Sequence, residues 1–333
     1  MSPLSSVLRV ASQALHGEQL PVHDRAETME RISYHGWPDS IRMSNEQVDL
    51  VLLAEVGPRI IRLGFLDEEN EFHIYEDTLG STGGDAWRSY GGHRLWYAPE
   101  DPLRTYHPDN ERVQAELQSD CVRLTQAIDP FGIRKEMSVW LSPNDAHVSV
   151  THRLRNHAFD SIELAPWSLS VMAPGGTAVL PLPPRGKHPE HLRPTSTVSL
   201  WPYTDLRDPR WTLGRRYIML RQDTEAASPQ KIGAMVPDGW AAYARAGHLF
   251  VTVFSHFPDV RYPDLGCNAE LWTDSDMLEV ETLGPLRLLA PGETVEHIEH
   301  WFLFRGMPAV VEEADVGRHI LPSIEQALRW VQP

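Results

Sequence analysis

The chain has 333 residues and a formal net charge of −16, with 46 acidic residues against 30 lysines and arginines. This charge repels phosphate backbones and anionic membrane surfaces, so we expect neither nucleic acid nor a membrane as a partner. Apolar residues make up 41% of the chain, enough for a sizeable core. The two cysteines, Cys121 and Cys267, lie far apart, which argues against a disulfide framework and fits a reducing compartment.

The N-terminal segment MSPLSSVLRVASQALHG contains no apolar run long enough for the core of a signal peptide. No segment approaches the ~18 uninterrupted apolar residues of a membrane span. We therefore expect a cytoplasmic protein.

Strand patterns dominate from about residue 48 onward. Residues 48–66 predict two strands, broken at the turn dipeptide Gly57-Pro58. Alternating or apolar runs predict further strands at 121–128, 133–141, 147–156, 162–172, 215–222, 239–245, 248–257, 269–273, 277–283 and 294–304. The 27 prolines are hostile to long helices and suit many short strands joined by turns.

Two segments depart from this pattern of short strands joined by turns. Residues 173–214, rich in proline, glycine and charge, predict long loops, and 308–331 show helical spacing interrupted at Pro322. We predict an all-β fold, a large antiparallel β-sandwich with a short C-terminal helix. A single domain over residues 1–333 is expected, with its core at about 45–305.

The segment GGHRLWYAPED at 91–101 is the first candidate site. Two glycines allow the backbone to bend or to approach a ligand closely before His93 and Arg94. Arg94 offers a planar, positively charged guanidinium group, and Trp96 offers an aromatic face beside it on which a ligand could stack. The plainer interpretation is a tight turn whose arginine pairs with a surface acid.

The second candidate is Glu281, on the predicted strand at 277–283. Glu279 and Glu281 share one strand face, and two neighbouring acids on one face are usually solvated. A carboxylate at a strand end is nevertheless well placed to act as a general base.

Trp167 in LAPWSLSVMAPGG lies between apolar neighbours, so it is either a core residue or an indole that stacks on a sugar ring. The weaker candidates each have an ordinary structural explanation as well. His107 could donate a proton, whereas His152 shares a strand face with Leu154 and suits a satisfied core position. The remaining cleft candidates are Lys231, Tyr262, Asp264 and Glu270.

Neither a metal nor a cofactor is expected. The sequence has no phosphate-binding loop, dinucleotide fingerprint, HExxH motif or paired-cysteine zinc site. The 16 histidines include no pair at ligand spacing with a third partner.

The segments GGHRLWYAPE, APWSLSVMAPGG and EVETLGPLRLLAPGE together resemble the galactose mutarotase-like superfamily, the sandwiches of aldose 1-epimerase type. The resemblance spans roughly residues 45–305 and implies a twisted antiparallel sandwich with a sugar cleft on one sheet. Those enzymes use a glutamate as base, a histidine as acid and an arginine that orients the sugar. The resemblance assigns the base to Glu281 and the arginine to Arg94.

The acid is where this chain departs from the family pattern. His107 falls near the first family histidine, but Trp167 stands on the strand expected to carry the second. The resemblance thus leaves His93 as a possible replacement.

The resemblance implies a protein that binds a small carbohydrate and favours an enzyme with acid/base chemistry of the mutarotase or epimerase type. Glu281 would remove the anomeric hydroxyl proton while a histidine protonates the ring oxygen. Two alternatives stay open, a non-catalytic sugar-binding module and a different sugar isomerase or lyase on the same fold.

Overall fold

The computed structural model describes residues 28–226 and 228–331. The expectation about a leader segment rests on residues 1–27, which lie outside the described residues. None of the helices in the described ranges has the length and apolar character needed to span a bilayer.

The described residues form two large antiparallel sheets. In chain order the strands are β1 Thr28–Tyr34, β2 Trp37–Ser44, β3 Val48–Leu53, β4 Arg59–Phe65, β5 Gly92–Ala98, β6 Gln114–Leu117, β7 Cys121–Thr125, β8 Ile133–Leu141, β9 His147–Asn156, β10 Ile162–Met172, β11 Thr177–Pro181, β12 Val198–Leu200, β13 Trp211–Leu213, β14 Tyr217–Arg221, β15 Gln230–Ala234, β16 Trp240–Arg245, β17 His248–Phe254, β18 Ala269–Thr273, β19 Leu278–Leu283, β20 Arg287–Leu289 and β21 Thr294–Arg305. Helical segments are a 3-10 turn Glu76–Thr78, α1 Glu313–Asp315, a π-helical turn Val316–Ile320 and α2 Leu321–Val331.

The first sheet has the order β1-β2-β3-β4-β5-β10-β19-β18-β15-β12, and β20 adds to the end of β10. The second sheet has the order β13-β14-β11-β16-β17-β21-β9-β8-β7-β6. Their inner faces pack on each other through one large apolar cluster. The architecture is the antiparallel sandwich that the sequence predicted.

Burial along the strands explains their positions in the sheets. Strand β8 alternates buried and half-buried residues, as a strand with one wet face does. Strand β10, at the centre of the first sheet, is buried continuously from Leu164 to Met172. One face of β10 therefore packs in the core, and its other face forms the floor of a cleft on the outside of the sheet.

The C-terminal helix covers the outer face of the second sheet. Ile320, Ile324 and Ala327 are buried there against Val251 and its neighbours. This contact shields the apolar outer face of β17, and the cleft lies on the opposite side of the sandwich.

Four predicted strands, at 133–141, 147–156, 162–172 and 269–273, match β8, β9, β10 and β18 to the residue. Other expectations were wrong. The sheets begin with β1 and β2, before residue 45, and the loop region 173–214 contains the short strands β11, β12 and β13. These three strands have only three to five residues each, too few for a periodic pattern to stand out, and the apolar residues Val198, Leu200 and Leu213 are exposed.

Candidate functional site

Strand register gathers the candidate site on the outer face of the first sheet. Arg94 on β5 lies opposite Leu169 on β10, and Leu169 lies opposite Glu281 on β19. Glu281 in turn lies opposite Glu270 on β18. Residues paired directly across antiparallel strands point to the same face, so these side chains form one row across the sheet.

A cavity of about 420 Å³ opens over this row. Its walls combine aromatic rings with charged groups. The lining residues are Tyr75, Trp87, Ser89, Arg94, Trp96, Glu100, Tyr106, Trp167, Leu169, Tyr203, Lys231, Trp272, Asp274, Asp276, Met277 and Glu279. We call this cavity the cleft.

A second depression, of about 510 Å³, lies beside the second sheet between the Gly175, Arg221 and Ala244–Gly247 segments and residues 307–311. It has no aromatic side chain in its lining. Ligand sites usually combine apolar or aromatic walls with a few convergent polar groups. The cleft fits that description better, although its volume is smaller.

The aromatic wall of the cleft centres on Trp96. Its ring centroid lies 5.2 Å from that of Trp167, 5.5 Å from Tyr106 and 6.0 Å from Trp87, each in an edge or tilted arrangement. Trp87 and Tyr106 also meet edge to face at 5.3 Å. Contacts of this kind hold the rings in place, so the wall needs little reordering when a ligand binds.

Arg94 lines the cleft, and its side chain is 4% exposed. Its Nη2 donates to Glu279 Oε1 at 2.7 Å, and the guanidinium lies 4.4 Å from the Trp96 ring. Its Nε and Nη1 are buried and have no hydrogen-bond partner among the described residues. Unfilled buried donors are costly, and an oxygen-rich ligand would satisfy them.

Lys231 occupies the other end of the row with two carboxylates. Its Nζ lies 3.0 Å from Glu281 Oε2 and 2.8 Å from Glu270 Oε2. Burial alone would lower the pKa of Lys231, but these two carboxylates outweigh it and raise that pKa well above its usual value. Burial raises the pKa of Glu270. Lys231 and these two carboxyl groups therefore form one buried ionic cluster at this end of the row.

Four of the predicted residues, Arg94, Trp96, Trp167 and Lys231, line the cleft. Glu281 and Glu270 lie beneath it and contact Lys231. Asp264 belongs to the same charged group, since its carboxyl interacts with Glu270, and burial raises its pKa.

Glu281 is less accessible than its predicted role as a base requires. It is fully buried, and its Oε2 accepts the Trp167 indole N–H at 2.7 Å as well as a bond from Lys231. Of the two glutamates on this face of β19, Glu279, two residues earlier, is the one that lines the cleft. Burial, with the nearby Glu281, raises the pKa of Glu279, and Arg94 partly opposes this.

The predicted histidines do not reach the cleft. His93 and His152 are fully buried between the two sheets, because the pleat turns His93 to the face opposite Arg94. His107 is half-buried and packs edge to face on Phe131, with ring centroids 5.9 Å apart. The expectation that these histidines act on a ligand in the cleft therefore has no support in the geometry.

Tyr262 also has a different place from the one expected. Its hydroxyl accepts the backbone N–H of Phe257 at 2.9 Å, and its ring stacks on His256 at 6.0 Å. Tyr262 holds its own loop and does not line the cleft.

Sequence reasoning missed several cleft residues, chiefly Trp87, Tyr106, Tyr203 and Trp272. All four are large aromatics, and Tyr106 and Tyr203 expose about two fifths of their surface. The excess of tryptophan, with 11 residues against 9 phenylalanines, could have drawn attention to Trp87 and Trp272, but no comparable signal marks the two tyrosines.

Comparison with known proteins adds information about the fold. The sequence matches no protein-family model, and no protein of curated function matches it. Solved structures do match. A galactose mutarotase-like protein from Lactobacillus casei ATCC 334 is 12% identical with a TM-score of 0.54, covering 80% of this chain and 100% of that one.

Two further structures agree. A galactose mutarotase related enzyme from Lactobacillus acidophilus is 8% identical with a TM-score of 0.52, covering 82% of this chain and 100% of its own. The proposed mutarotase YeaD from Salmonella typhimurium is 11% identical with a TM-score of 0.55, covering 84% of this chain and 96% of its own. The chain therefore has the galactose mutarotase-like fold, as its sequence motifs predicted.

Proposed function

We propose that the cleft binds a small carbohydrate. The observation that carries this proposal is Arg94, whose two unfilled donors lie at the foot of an aromatic wall. A sugar presents hydroxyl oxygens at its edge and an apolar C–H surface on its face. Arg94 would bind the oxygens, and Trp87 or Trp96 would stack on the face.

The charges of the cleft restrict the kind of sugar. Its lining contains two cations, Arg94 and Lys231, and four acids. Both cations already pair with carboxylates. An added phosphate or carboxylate would meet net negative charge, so the proposal is for a neutral sugar.

The first experiment measures binding by calorimetry and by ligand-observed NMR, with neutral hexoses and pentoses and their phosphates as probes. We expect a neutral sugar to bind and its phosphate to bind more weakly. Arg94→Lys should weaken binding by about tenfold or more, because lysine lacks the planar two-pronged donor set. Arg245→Lys is the matched control, since Arg245 pairs with Glu69 outside the cleft. Equal affinity of the Arg94→Lys variant and the wild type would refute the role of Arg94.

A second candidate function is exchange between sugar anomers. Glu279 favours it, because this carboxyl lines the cleft within reach of a bound sugar, and burial raises its pKa. In this proposal Glu279 takes the proton of the anomeric hydroxyl, the role that the family resemblance assigned to Glu281, while a water molecule protonates the ring oxygen as its bond to C1 breaks; the reverse transfers accompany ring closure. Glu281 then acts through its pairing with Lys231.

Polarimetry and exchange NMR on pure anomers test this function. Glu279→Gln should abolish catalysed exchange while the sugar still binds, because the amide keeps the shape and loses the basicity. Glu281→Gln is the comparison. If Glu281→Gln alone abolishes exchange, the base is Glu281, as first predicted, and the Glu279 proposal fails. Binding with no exchange in the wild type would indicate a non-catalytic sugar-binding module.

A further inference from the structure

A buried polar cluster joins the two sheets directly behind the cleft floor. It consists of His93 on β5 of the first sheet with His152 on β9 and Glu299 on β21 of the second. All three side chains are at most 2% exposed. The Nε2 atoms of the two histidines are 2.7 Å apart, and Glu299 Oε2 lies 3.6 Å from the first and 3.9 Å from the second.

The hydrogen bonds of His152 determine which of its nitrogens carries the proton. Its Nδ1 is 3.1 Å from the backbone carbonyl of His297. A carbonyl only accepts, so His152 Nδ1 carries the hydrogen, and Nε2 of the neutral ring presents a lone pair. This lone pair points at His93 Nε2. Histidine ligands of metals typically have this arrangement, in which the far nitrogen is fixed by a carbonyl or another acceptor.

His93 is oriented in a similar way. Its Nδ1 lies 2.9 Å from the hydroxyl of Ser170, and its ring packs against Trp301 with centroids 4.5 Å apart. The serine hydroxyl can accept the Nδ1 hydrogen, which leaves His93 Nε2 with a lone pair as well. In the other tautomer His93 Nε2–H donates to His152 Nε2 at 2.7 Å, and a cation that binds both nitrogens would select the tautomer with two lone pairs.

Glu299 brings a negative charge to the same point. Thr282 Oγ1 donates to its Oε1 at 2.7 Å, and the Trp301 indole N–H donates to its Oε2 at 3.3 Å. Among the ion pairs of the described residues, Glu299 has the two histidines as partners and no lysine or arginine. A carboxylate buried this deeply is very costly unless a positive charge balances it.

We propose that His93, His152 and Glu299 bind a divalent transition-metal ion, zinc or a close relative, as a structural clamp between the sheets. Two imidazoles and one carboxylate are donors that zinc commonly takes. In a tetrahedral site with ligands at 2.0–2.1 Å, ligand atoms are about 3.3 Å apart, and the three observed separations lie on both sides of that value. Binding would separate the two nitrogens slightly and draw Glu299 inward.

The proposed ion would have a structural role. All three ligands point into the core, and the cleft is on the other face of the first sheet. The ion would fix β5, which carries Arg94 on its opposite face, to the second sheet. This proposal is independent of the sugar proposal, since neither uses the other's residues.

The experiment measures metal content by elemental analysis after the full chain has been unfolded with a chelator, desalted and refolded with zinc or with cobalt(II). We expect about one ion per chain in the wild type, and visible absorption bands of four- or five-coordinate cobalt. Zinc should also raise the midpoint of thermal unfolding. His152→Gln and Glu299→Gln should each lose the ion, and the midpoint should stop responding to zinc.

The matched control is His147→Gln. His147 and His300 form another histidine pair, with Nε2 and Nδ1 3.1 Å apart, on the outer side of the second sheet. This variant should keep the ion. Loss of the ion in His147→Gln and its retention in His152→Gln would place the metal at the outer pair and refute the proposal. A wild type that refolds with zinc and contains none would also refute it. If either glutamine variant fails to refold, the wild-type cobalt spectrum and the His147→Gln result still decide the question.

Discussion

The first sheet has a polar group on each face: the cleft group, with Arg94 and Lys231, and the inner group of His93, His152 and Glu299. The two groups balance their charges differently. In the cleft, Arg94 and Lys231 each pair with a carboxylate within 3.0 Å. Between the sheets, Glu299 has two histidines and hydroxyl or indole donors, and no paired cation among the described residues. In the cleft both cations have carboxylate partners and Arg94 still offers open donors, which suits reversible binding of a neutral ligand. The inner group is closed to solvent and lacks a positive charge.

Removing the lysine charge from the cleft should have the largest effect. Lys231→Met keeps the length of the side chain but leaves Glu281 and Glu270 buried without their cation. Breaking a buried pair in this way typically costs about 3–5 kcal/mol of unfolding free energy. Urea unfolding followed by circular dichroism measures it.

Arg207→Met is the control for that change. Arg207 pairs with Asp205 at 2.9 Å, but its side chain is 90% exposed. Exposed ion pairs contribute little, so we expect almost no loss of stability. Similar losses in the two variants would show that the Lys231 group is solvated, contrary to its burial.

The inner group can be weakened without removing a ligand of the proposed metal. Thr282→Val deletes the hydroxyl that donates to Glu299 Oε1 at 2.7 Å and also meets His297 Nε2 at 2.6 Å. We expect a loss of about 1–3 kcal/mol, because a buried charged acceptor loses a donor. Thr252→Val removes only a 3.4 Å contact with Glu299 and should cost less. Denaturant unfolding that ranks the two variants in the reverse order would contradict this account of the network.

Much of the fold could be predicted from the sequence, because long strands repeat their burial pattern. Strands β8, β9 and β10 have nine to eleven residues each, and turn residues such as Asp129 and Asn144 separate them. Strand β5 was not among the predicted strands, and a tight turn was the plainer interpretation of its segment. All seven of its residues are buried, so it shows no alternation of apolar and polar positions. Burial of both faces depends on tertiary contacts that local patterns do not record.

The candidate site could be predicted only in part, because the positions of its side chains also depend on tertiary contacts. Arg94, Trp96 and Lys231 were found from residue type and local context, and the register brings them to one face. The sequence did not indicate that His93 points into the core, away from the cleft. Which face of a strand is buried becomes known only when the neighbouring strands and the packed sheet are known. The expectation of no metal site considered ligand spacing along the chain. His93, His152 and Glu299 come from strands 59 and 147 residues apart, so no local spacing could have joined them.

The histidine pair on the second sheet provides a pH probe separate from the inner group. Burial, with a smaller contribution from His300, lowers the pKa of His147 to about 4. The folded pKa lies below the unfolded value near 6.5, so stability from neutral His147 is present above pH 6.5 and is lost as pH falls toward 4. His147→Gln should reduce the acid-induced fall in unfolding free energy by roughly 2 kcal/mol, allowing for partial solvation. Parallel stability curves of the variant and the wild type would contradict this shift.

The smallest expected effect concerns the rim of the cleft. The Tyr106 hydroxyl donates to Glu100 at 2.6 Å, but both groups are exposed. Tyr106→Phe keeps the ring and its edge contacts with Trp87 and Trp96. An exposed hydrogen bond exchanges readily with water, so we expect a change in unfolding free energy below about 0.5 kcal/mol.

Tyr106→Phe also distinguishes two ways in which Tyr106 could contact a bound sugar, through its ring or through its hydroxyl. If the ring stacks on the sugar, calorimetry should give the same affinity for Tyr106→Phe and the wild type, while Tyr106→Ala should bind more weakly. If the hydroxyl bonds the sugar, both variants should weaken binding. The arrangement of three rings around Trp96 favours stacking, because the Tyr106 hydroxyl already has Glu100 as its acceptor. A large loss of stability in Tyr106→Phe would instead show that the rim of the cleft belongs to the structural core. The contrast between an open cleft and a sealed inner group would then no longer hold.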